Sequence, residues 1–319
     1  MNFDLMSDLK SKKILRIGTR GTNLAVKQAE ILANNIVTKK ICSANDIEII
    51  KIKSSGDFVG SSIGPYDGKG LFTKEIDQAL LDDKIDIAAH STKDIESIIT
   101  DGLDLFGVLE REDPRDALIT TNSFTSIENL PDNCLVGTSS PRRGAIIKSM
   151  REDIDVIEFR GNFETRIRKL IDKEVDATFL AMAGINRLSF KDCYILPIDT
   201  DTMIPAAGQG AIGLVAKIGD QRVIDIIEKL NHKESFTCIL AERLVLEKFG
   251  GSCFQPIAIY SHYTGINEIS ITAMISNTDG SKTFKIKKVA LEETIFDIAS
   301  DIGQKLLKYY QEELSKATI

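Results

Sequence analysis

Short apolar runs alternate with segments of helical periodicity along most of the chain. From about Leu71 to Asp83, apolar side chains recur at near-helical spacing, and the apolar run Ile85 to Ala89 follows. This pattern predicts an amphipathic helix and then a buried strand. The segment HSTKD, residues 90–94, comes directly after that strand, where open α/β sheets place their ligand-binding groups. Asp94 is therefore the leading candidate for a catalytic residue.

The pattern around this stretch predicts a first α/β lobe. A helix capped by Thr22 or Asn23 should run to about Lys40. Residues 54–70 form a polar, Gly-rich loop of the length that is often functional. The charged segment 110–116, EREDPRD, interrupts the periodicity and is interpreted as a crossover between domains. Strands are predicted at residues 14–18, 47–53, 85–89 and 103–109.

A second α/β lobe follows the charged segment. Residues 195–210 are interpreted as a second crossover, after which residues 211–217 form a strand that returns to the first lobe. Two similar lobes joined by two crossings suggest a cleft that can close on a ligand. Strands are predicted at 134–137, 154–159 and 176–182, with helices opening at Ser140 and Phe163.

From about His232 the pattern changes to a long helix near 234–249, short alternating strands and a final helix from about Leu291. That order predicts a small α+β domain. We therefore expect three domains: residues 1–110 with 211–230 as the first α/β lobe, 115–204 as the second, and 232–319 as the C-terminal domain.

Composition narrows the class of protein. With 319 residues and 43% hydrophobic content, the chain can bury a large core. The net charge of −7 and the pI of about 5.2 argue against a general nucleic-acid surface. Residues 1–13 lack the apolar core of a signal peptide, and no apolar run approaches the length of a membrane span. The five cysteines are scattered without a CxxC pair, which favours a reducing compartment over a disulfide framework or a zinc site. We expect a cytoplasmic protein with no metal site and no membrane partner.

The most informative local motif is Ser140-Pro141-Arg142-Arg143. Ser140 suits the N-cap and Pro141 the first helical position, so helix N–H groups and two guanidinium groups should converge on one spot. Such a spot binds carboxylate or phosphate. Arg160-Gly161-Asn162, with Arg166 one turn later, and the turn from Thr19 to Thr22, with Arg20, repeat the arrangement. Most arginines are solvated surface charges, but three such turns at one topological position favour anion binding.

Three other motifs are less informative about function. Gly208 to Gly213 matches GxGxxG, but strand-like residues follow it where a dinucleotide site needs a helix. A phosphate-binding loop ending at Lys69 would need glycine where Ile63 stands. Cys253 lies in a Gly-rich loop, GGSCFQPI, where a thiol could react. A single cysteine is more often a small buried hydrophobe, and with no histidine nearby in sequence the motif does not support a hydrolase.

Together these segments resemble the hydroxymethylbilane synthase (porphobilinogen deaminase) family. The resemblance runs from about Leu15 to the Cys253 loop and, more weakly, to the C-terminus. The pieces that carry it, in the family's order, are LRIGTRGTNLAVKQAE, GKGLFTKEIDQALL, DIAAHSTKD, EREDPRDALI, VGTSSPRRGA, RGNFETRIRKL, LAMAGINRL, IPAAGQGAIG and GGSCFQPIA.

The resemblance implies a transferase that joins four porphobilinogen molecules head to tail into hydroxymethylbilane and releases ammonia at each step. It implies a dipyrromethane cofactor bound through a thioether to Cys253, and Asp94 matches the catalytic aspartate. It also implies a monomer with two lobes like those of periplasmic binding proteins, plus an α+β domain that carries the cofactor. The positions that match acetate- and propionate-binding arginines are Arg20, Arg142, Arg143, Arg160, Arg166 and Arg187. Further polar contacts are implied at Thr22, Lys69, Ser91, Lys93, Thr138, Ser140 and Gln209.

One alternative belongs to another class. A two-lobed solute-binding or ligand-sensing protein would also use the arginines. It would have no need for a loop cysteine in a third domain. A generic acyl or phosphoryl transferase is the weaker enzymatic alternative, because the chain has neither a nucleotide loop nor a metal cluster motif.

Overall fold

The structure is a computed structural model that describes residues 14–54, 72–250 and 255–315. The chain divides into two compact units. Of the described residues, the first unit contains those up to His90, together with Ile99–Leu109 and Gly213–Asn231. The second contains Ser91–Ile98, Glu110–Ile212 and the described residues from His232 onwards. The chain thus leaves the first unit after Leu109 and returns to it at Gly213.

The first unit begins with alternating strands and helices. Thr22 accepts a hydrogen bond from the Ala25 N–H and caps the first helix, as predicted. The elements in chain order are β1 (Leu15–Arg20), α1 (Asn23–Thr38), β2 (Ile47–Ile52), α2 (Lys74–Leu81), β3 (Ile87–Ser91) and β4 (Leu103–Val108).

The second unit contains a lobe of the same kind. Its helix α3 begins at Pro141 with Ser140 as the N-cap, as predicted, and α4 is capped by Asn162. The elements are β5 (Asp116–Thr120), β6 (Leu135–Gly137), α3 (Pro141–Met150), β7 (Asp155–Ile157), α4 (Phe163–Ile171), β8 (Ala177–Ala181), α5 (Met182–Leu188) and β9 (Tyr194–Ile198). The chain then rejoins the first sheet as β10 (Ile212–Lys217), followed by α6 (Gln221–Leu230).

The two five-stranded sheets have equivalent strand orders, β2-β1-β3-β10-β4 in the first and β7-β6-β8-β5-β9 in the second. Strands β7, β6, β8, β5 and β9 thus correspond in turn to β2, β1, β3, β10 and β4. In the second sheet, β6 runs parallel to β7 and β8, whereas β5 runs antiparallel to β8, with Asp116 opposite Ala181. Asp116 therefore lies beside the carboxyl end of β8, at the sheet edge where ligands bind in α/β folds.

The C-terminal part of the second unit is a three-stranded antiparallel sheet with helices packed against it. Its elements are α7 (Lys233–Phe249), β11 (Ile257–Gly265), β12 (Glu268–Ser276), β13 (Thr283–Leu291) and α8 (Ile295–Tyr309). Alternate residues of β12 face two different cores. Ile271 and Ile275 pack with α7 and α8, whereas Met274 joins the core around α3. The central strand β12 is therefore buried on both faces, whereas β13 is partly exposed.

The observed α/β architecture, with two sheet lobes and a small C-terminal sheet, confirms the predicted fold class. Several boundaries differ from the prediction. The unpredicted strand β5 begins at Asp116, the last residue assigned to the first crossover, and residues 195–198, assigned to the second crossover, belong to β9. Strand β3 extends to Ser91, so His90 and Ser91 belong to it, and the last helix begins at Ile295 because β13 extends to Leu291. None of the described helices has both the length and the apolar character needed to cross a bilayer.

Candidate active site

Asp94 ends a single 3-10 turn, Thr92–Asp94, that follows β3 directly. Thr92 fixes this turn, since its N–H and its hydroxyl both donate to the carbonyl of Ala211, at 3.0 and 3.2 Å. Asp94 itself is half-buried. The predicted position past the carboxyl end of a buried strand is confirmed, and the anchored turn leaves little freedom to the backbone that carries this carboxylate.

Arg142 and Arg143, in the first turn of α3, converge on the carboxylate of Asp116. Asp116 is completely buried, and the two arginines are 4% and 5% exposed. Asp116 accepts from Arg142 Nη1 at 2.6 Å and from Arg143 Nε and Nη2 at 3.0 and 2.6 Å. Arg142 Nη1 also donates to the Ile204 carbonyl, and Arg143 Nη1 to that of Phe179. Arg142 and Arg143 are therefore buried in the protein interior and paired with Asp116, and they are not solvated surface charges.

Charge neutralisation explains how this cluster tolerates burial. Burial by itself would raise the pKa of the Asp116 carboxyl, but Arg142 and Arg143 outweigh it and hold that pKa well below its usual range. Burial also lowers the pKa of Arg143, which Asp116 opposes. One carboxylate thus stabilises two guanidinium groups, and the cluster keeps one uncompensated positive charge.

Gln209 connects this cluster to Lys93. Its side chain, 1% exposed, donates through Nε2 to Asp116 at 3.0 Å and accepts through Oε1 from Lys93 Nζ at 3.4 Å. Gly208 makes the approach possible. It has φ +76°, and a β-carbon there would lie 3.0 Å from the backbone nitrogen of Lys93. A side chain at that position would crowd the backbone of residues 92 and 93, so the glycine favours the close approach of this turn to Lys93.

Lys93 has an unusual electrostatic environment. Water reaches its side chain, yet surrounding protein removes part of the solvation of its ammonium group. Together with the nearby charge of Arg143, this lowers the pKa of Lys93 to about 8, against the opposing effect of Asp94 and Asp116. Lys93 therefore carries most of its positive charge at neutral pH and loses it under mildly alkaline conditions.

Two further predicted arginines lie in the same unit. Arg166, in α4, donates through Nε to the Gly161 carbonyl at 2.9 Å. Loss of solvation and the charge of Arg143 lower its pKa to about 10, and Asp94 opposes this. Arg187, in α5, donates through Nη2 to the Gly210 carbonyl at 2.6 Å, and its pKa is likewise lowered to about 10 by burial. Both guanidinium groups stay charged at neutral pH.

The cluster has more positive than negative charge. In the described part of the second unit, four cations interact with one another and with two carboxylates, which leaves an excess of two positive charges. The cations are Lys93, Arg142, Arg143 and Arg166, and the carboxylates are Asp94 and Asp116. The whole chain, by contrast, carries −7. Such a local excess inside an acidic protein fits a ligand with several carboxylates.

Thr138 and Ser140 extend the polar site to the start of α3. The hydroxyl of Thr138 accepts from the Ser140 N–H at 3.1 Å, and Ser140 Oγ accepts from the Arg143 N–H at 3.5 Å. Both residues line a pocket of about 300 Å³, to which Lys148 of α3 and Thr278 also contribute. This pocket offers hydroxyl groups and a cation beside a helix N-terminus.

The remaining predicted residues fall elsewhere. Arg160 is exposed and pairs with Glu158 at 2.5 Å, while Ser91 is the half-buried last residue of β3. In the first unit, the Arg20 guanidinium lies 4.3 Å from the centre of the Phe72 ring. Thr22 of that unit is the N-cap of α1, and its hydroxyl accepts a hydrogen bond from the Ala25 N–H. Lys69 and Cys253 lie outside the described residues.

Two buried acidic residues, Asp116 and Glu242, were not selected from the sequence. Glu242, in α7, has no exposed surface and accepts from Arg111 Nη1 at 2.6 Å and from the Gly208 N–H at 2.7 Å. It therefore secures the turn that carries Gln209. The sequence does contain a signal for their burial, since each residue lies beside an apolar run, and a buried carboxylate must be paired. The sequence does not indicate which cation pairs with each carboxylate.

Asp116→Asn tests how much the buried pair contributes to stability. The change leaves two buried guanidinium groups without their carboxylate, so we expect the free energy of unfolding to fall by about 2 to 3 kcal/mol. Because the pKa of Asp116 is lowered in the folded state, this contribution is present above the unfolded pKa and is lost as the pH falls. The difference between variant and parent should therefore shrink below about pH 4.

Urea denaturation at several pH values measures both effects. Asp153→Asn is the matched control, because Asp153 pairs with Arg151 at 2.6 Å but lies at the surface. Its change should be much smaller than that of Asp116→Asn. Equal losses in the two variants would contradict the role given to the buried pair.

Comparison with known proteins identifies the family. The profile described as "Porphobilinogen deaminase, dipyromethane cofactor binding domain" matches residues 15–225. The profile described as "Porphobilinogen deaminase, C-terminal domain" matches residues 236–309. The two matches follow one another along the chain and together cover most of it.

Curated relatives agree with the profiles. A porphobilinogen deaminase of Rickettsia bellii is 43% identical over 84% of this chain and 89% of its own length. One of Geobacter sulfurreducens is 38% identical over 95% of this chain and 96% of its own length. Among solved structures, the periplasmic VFT2 domain of Bordetella pertussis BvgS has a TM-score of 0.41 and 13% identity, over 68% of this chain and 86% of that one. An arginine-specific periplasmic binding protein of Salmonella typhimurium has a TM-score of 0.40 and 12% identity, over 68% and 92%.

The profile matches span both the lobes and the C-terminal sheet, and the relatives align over most of their own length. The solute-binding alternative is therefore not favoured. The chain belongs to the porphobilinogen deaminase family.

Proposed function

We propose that Asp94 and the cations around it form the catalytic centre of a transferase. The enzyme joins four porphobilinogen molecules head to tail into hydroxymethylbilane, releases ammonia at each addition, and is primed by a dipyrromethane bound to Cys253. One observation carries the assignment of the centre. A half-buried carboxylate at the end of β3 lies among an excess of ammonium and guanidinium groups. This combination suits a reaction in which an anionic ligand develops a positive charge.

The excess of cations suits ligands of this class. Each pyrrole of substrate and cofactor carries two carboxylates, so the growing chain is a polyanion. Planar guanidinium groups bind carboxylates with two parallel hydrogen bonds. When bound, the dipyrromethane supplies the nucleophilic pyrrole carbon to which the first substrate is joined. The residues that would hold carboxylates or polar groups of these ligands are Arg20, Thr22, Lys69, Ser91, Lys93, Thr138, Ser140, Arg142, Arg143, Arg160, Arg166, Arg187 and Gln209.

Asp94 supplies the charge of the opposite sign. As ammonia leaves the aminomethyl group, positive charge develops on the substrate pyrrole, and a fixed carboxylate nearby stabilises it. Two unit charges about 4 Å apart interact by about 4 kcal/mol at an effective dielectric constant of about 20. One well-placed carboxylate is thus enough for a rate effect of several hundredfold. Asp94 can also accept a proton when the attacking α-carbon of the primer's terminal pyrrole forms the new bond and loses its hydrogen.

Several finer features belong to the same proposal. We infer that residues 232–319 act as a separate domain, because the C-terminal sheet has its own core with α7 and α8. We also infer a monomeric cytoplasmic enzyme without nucleic-acid or membrane partners. The net charge of −7 supports the absence of nucleic acid.

The direct test is to incubate the purified protein with porphobilinogen and to follow ammonia release and substrate consumption. We expect about four molecules of ammonia for each tetrapyrrole formed, as the family's stoichiometry implies. A protein that binds porphobilinogen without consuming it would instead support the solute-binding alternative.

Lys93 provides a pH prediction. If its ammonium group holds a ligand carboxylate, kcat/KM should fall as the pH rises through about 8, where Lys93 loses its charge. Lys93→Arg keeps the charge at all these pH values, so its alkaline limb should move to higher pH. Steady-state rates between pH 6.5 and 10 on both proteins decide the matter. Identical alkaline limbs would mean that another group, such as the substrate amine, causes the fall.

A further inference from the structure

The turn between β12 and β13, residues 277–282, is held by its own hydrogen bonds. The Lys282 N–H donates to Asn277 Oδ1 at 2.9 Å, and the Ser281 N–H donates to Asp279 Oδ1 at 2.8 Å. Asn277 Nδ2 donates to Ser281 Oγ at 2.9 Å. Each side chain satisfies a neighbouring backbone or hydroxyl group, so the turn has a defined shape without help from other elements.

Gly280, at the tip of this turn, approaches α3 very closely. Its backbone has φ +77°, and a β-carbon there would lie 2.2 Å from the carbonyl oxygen of Ala145 and 2.9 Å from the backbone nitrogen of Ser149. Both atoms belong to the backbone of α3, so no side-chain rotation could relieve the overlap. Any larger residue at 280 would have to displace the turn or the helix.

Other contacts hold the same helix against the same sheet. Ile146 and Ile147 of α3 share a core with Ala258 of β11 and Met274 of β12. Opposite charges support the contact at its edge. Hydrogen bonds from Ser281 lower the pKa of Asp279, and the charge of Lys148 in α3 adds to that effect. The position of α3 therefore depends on the C-terminal sheet and its turn.

The first turn of α3 carries the proposed ligand groups. Arg142 and Arg143 lie three and two residues before Ala145, and Ser140 caps the helix. Thr278, in the turn, lines the same pocket as Ser140. Because both arginines belong to the same ten-residue helix as Ala145, a displacement of the helix backbone at Ala145 also displaces the backbone from which the two side chains extend.

We propose that Gly280 is a positioning residue for the carboxylate-binding arginines. Because residue 280 has no side chain, the turn packs closely against α3. This packing determines the position of the first turn of α3 and so of the N–H groups of Arg142 and Arg143. The inference rests on the proposed function, in which these arginines hold carboxylates of the pyrrole ligands.

Gly280→Ala tests this, with Gly219→Ala as the matched control. Gly219 has φ +90°, so alanine meets the same backbone strain, but no heavy atom lies within 4 Å of its β-carbon position. On protein that already carries cofactor, Gly280→Ala should raise the KM for porphobilinogen about tenfold or more, as expected for one weakened charge-assisted hydrogen bond. Its kcat should stay within about threefold of the parent, since Asp94 is not moved. Gly219→Ala should leave both constants unchanged.

A KM for Gly280→Ala equal to that of Gly219→Ala would overturn the proposal. Arg142→Gln separates the two levels of inference. If Arg142→Gln raises KM while Gly280→Ala does not, only the positioning role is wrong. If Arg142→Gln also keeps the parental KM, the proposed carboxylate site itself fails. Should Gly280→Ala not yield folded protein, Asp279→Lys removes the hydrogen bond from the Ser281 N–H and replaces attraction to Lys148 by repulsion, and it should raise KM about threefold. A parental KM in that variant would overturn the proposal equally.

Discussion

Asp94→Asn should lower turnover by about 100-fold or more and leave the KM for porphobilinogen within about threefold of the parent. The substitution is nearly isosteric, but it removes the negative charge that would face the positive charge on the substrate. The 3-10 turn should keep its shape, since Thr92 anchors it to the Ala211 carbonyl. Steady-state assays must use protein that already carries cofactor, so that priming does not limit the rate.

Two controls sharpen this result. Asp94→Glu keeps the charge and should retain more activity than Asp94→Asn. Asp225→Asn removes an exposed carboxylate of α6 and should leave turnover unchanged. Turnover of Asp94→Asn within a few-fold of the parent would exclude Asp94 as the catalytic carboxylate.

Cys253→Ser should abolish both the cofactor and the activity. Attachment through a thioether needs a nucleophilic thiol, and serine is far less nucleophilic at neutral pH. Intact mass spectrometry of the parent should show an added mass of two pyrrole units, which peptide mapping should place on Cys253. The variant should fold, lack that mass and fail to consume porphobilinogen.

Three of the four described cysteines are poorly suited to attachment, and all four serve as controls. Burial raises the pKa of the Cys134 and Cys238 thiols to about 11, so almost no thiolate exists at neutral pH. Burial also raises the pKa of Cys193, helped by Asp192. Cys42→Ser and Cys193→Ser change partly exposed thiols and should keep both adduct and activity. An adduct mapped to any of these cysteines would refute the assignment of Cys253.

Local features of the fold could be predicted because they depend on neighbouring residues. Thr22 and Ser140 begin helices because a hydroxyl followed by helix-forming residues satisfies unpaired N–H groups, and this needs no distant partner. Strand β3 was recognised because its four consecutive buried positions, Ile87 to His90, continue a largely apolar run that begins at Ile85. The position of Asp94 after that strand followed from the same local pattern.

Strands β5 and β9 were not recognised, for a non-local reason. The charged segment 110–116 indicated one crossover, and residues 195–210 were assigned to the second. In the structure, β5 pairs with β8 on one side and β9 on the other, so Ala117 to Ile119 are fully buried. Pro197 is tolerated because β9 is an edge strand. Such pairings depend on segments about 60 to 80 residues away, which local periodicity does not contain.

The fold class, the helix caps, the position of Asp94 and the family resemblance all follow from the order of the amino acids along the chain. The pairing of the charges is established only when the chain folds. Gln209 reaches Lys93 across 116 residues of sequence, and Asp116 reaches Arg143 across 27. The sequence shows that two arginines and a carboxylate are present, but a charge interaction depends on distance in space and on the loss of water around it. Both are set only when the strands and the first turn of α3 come together around Asp116.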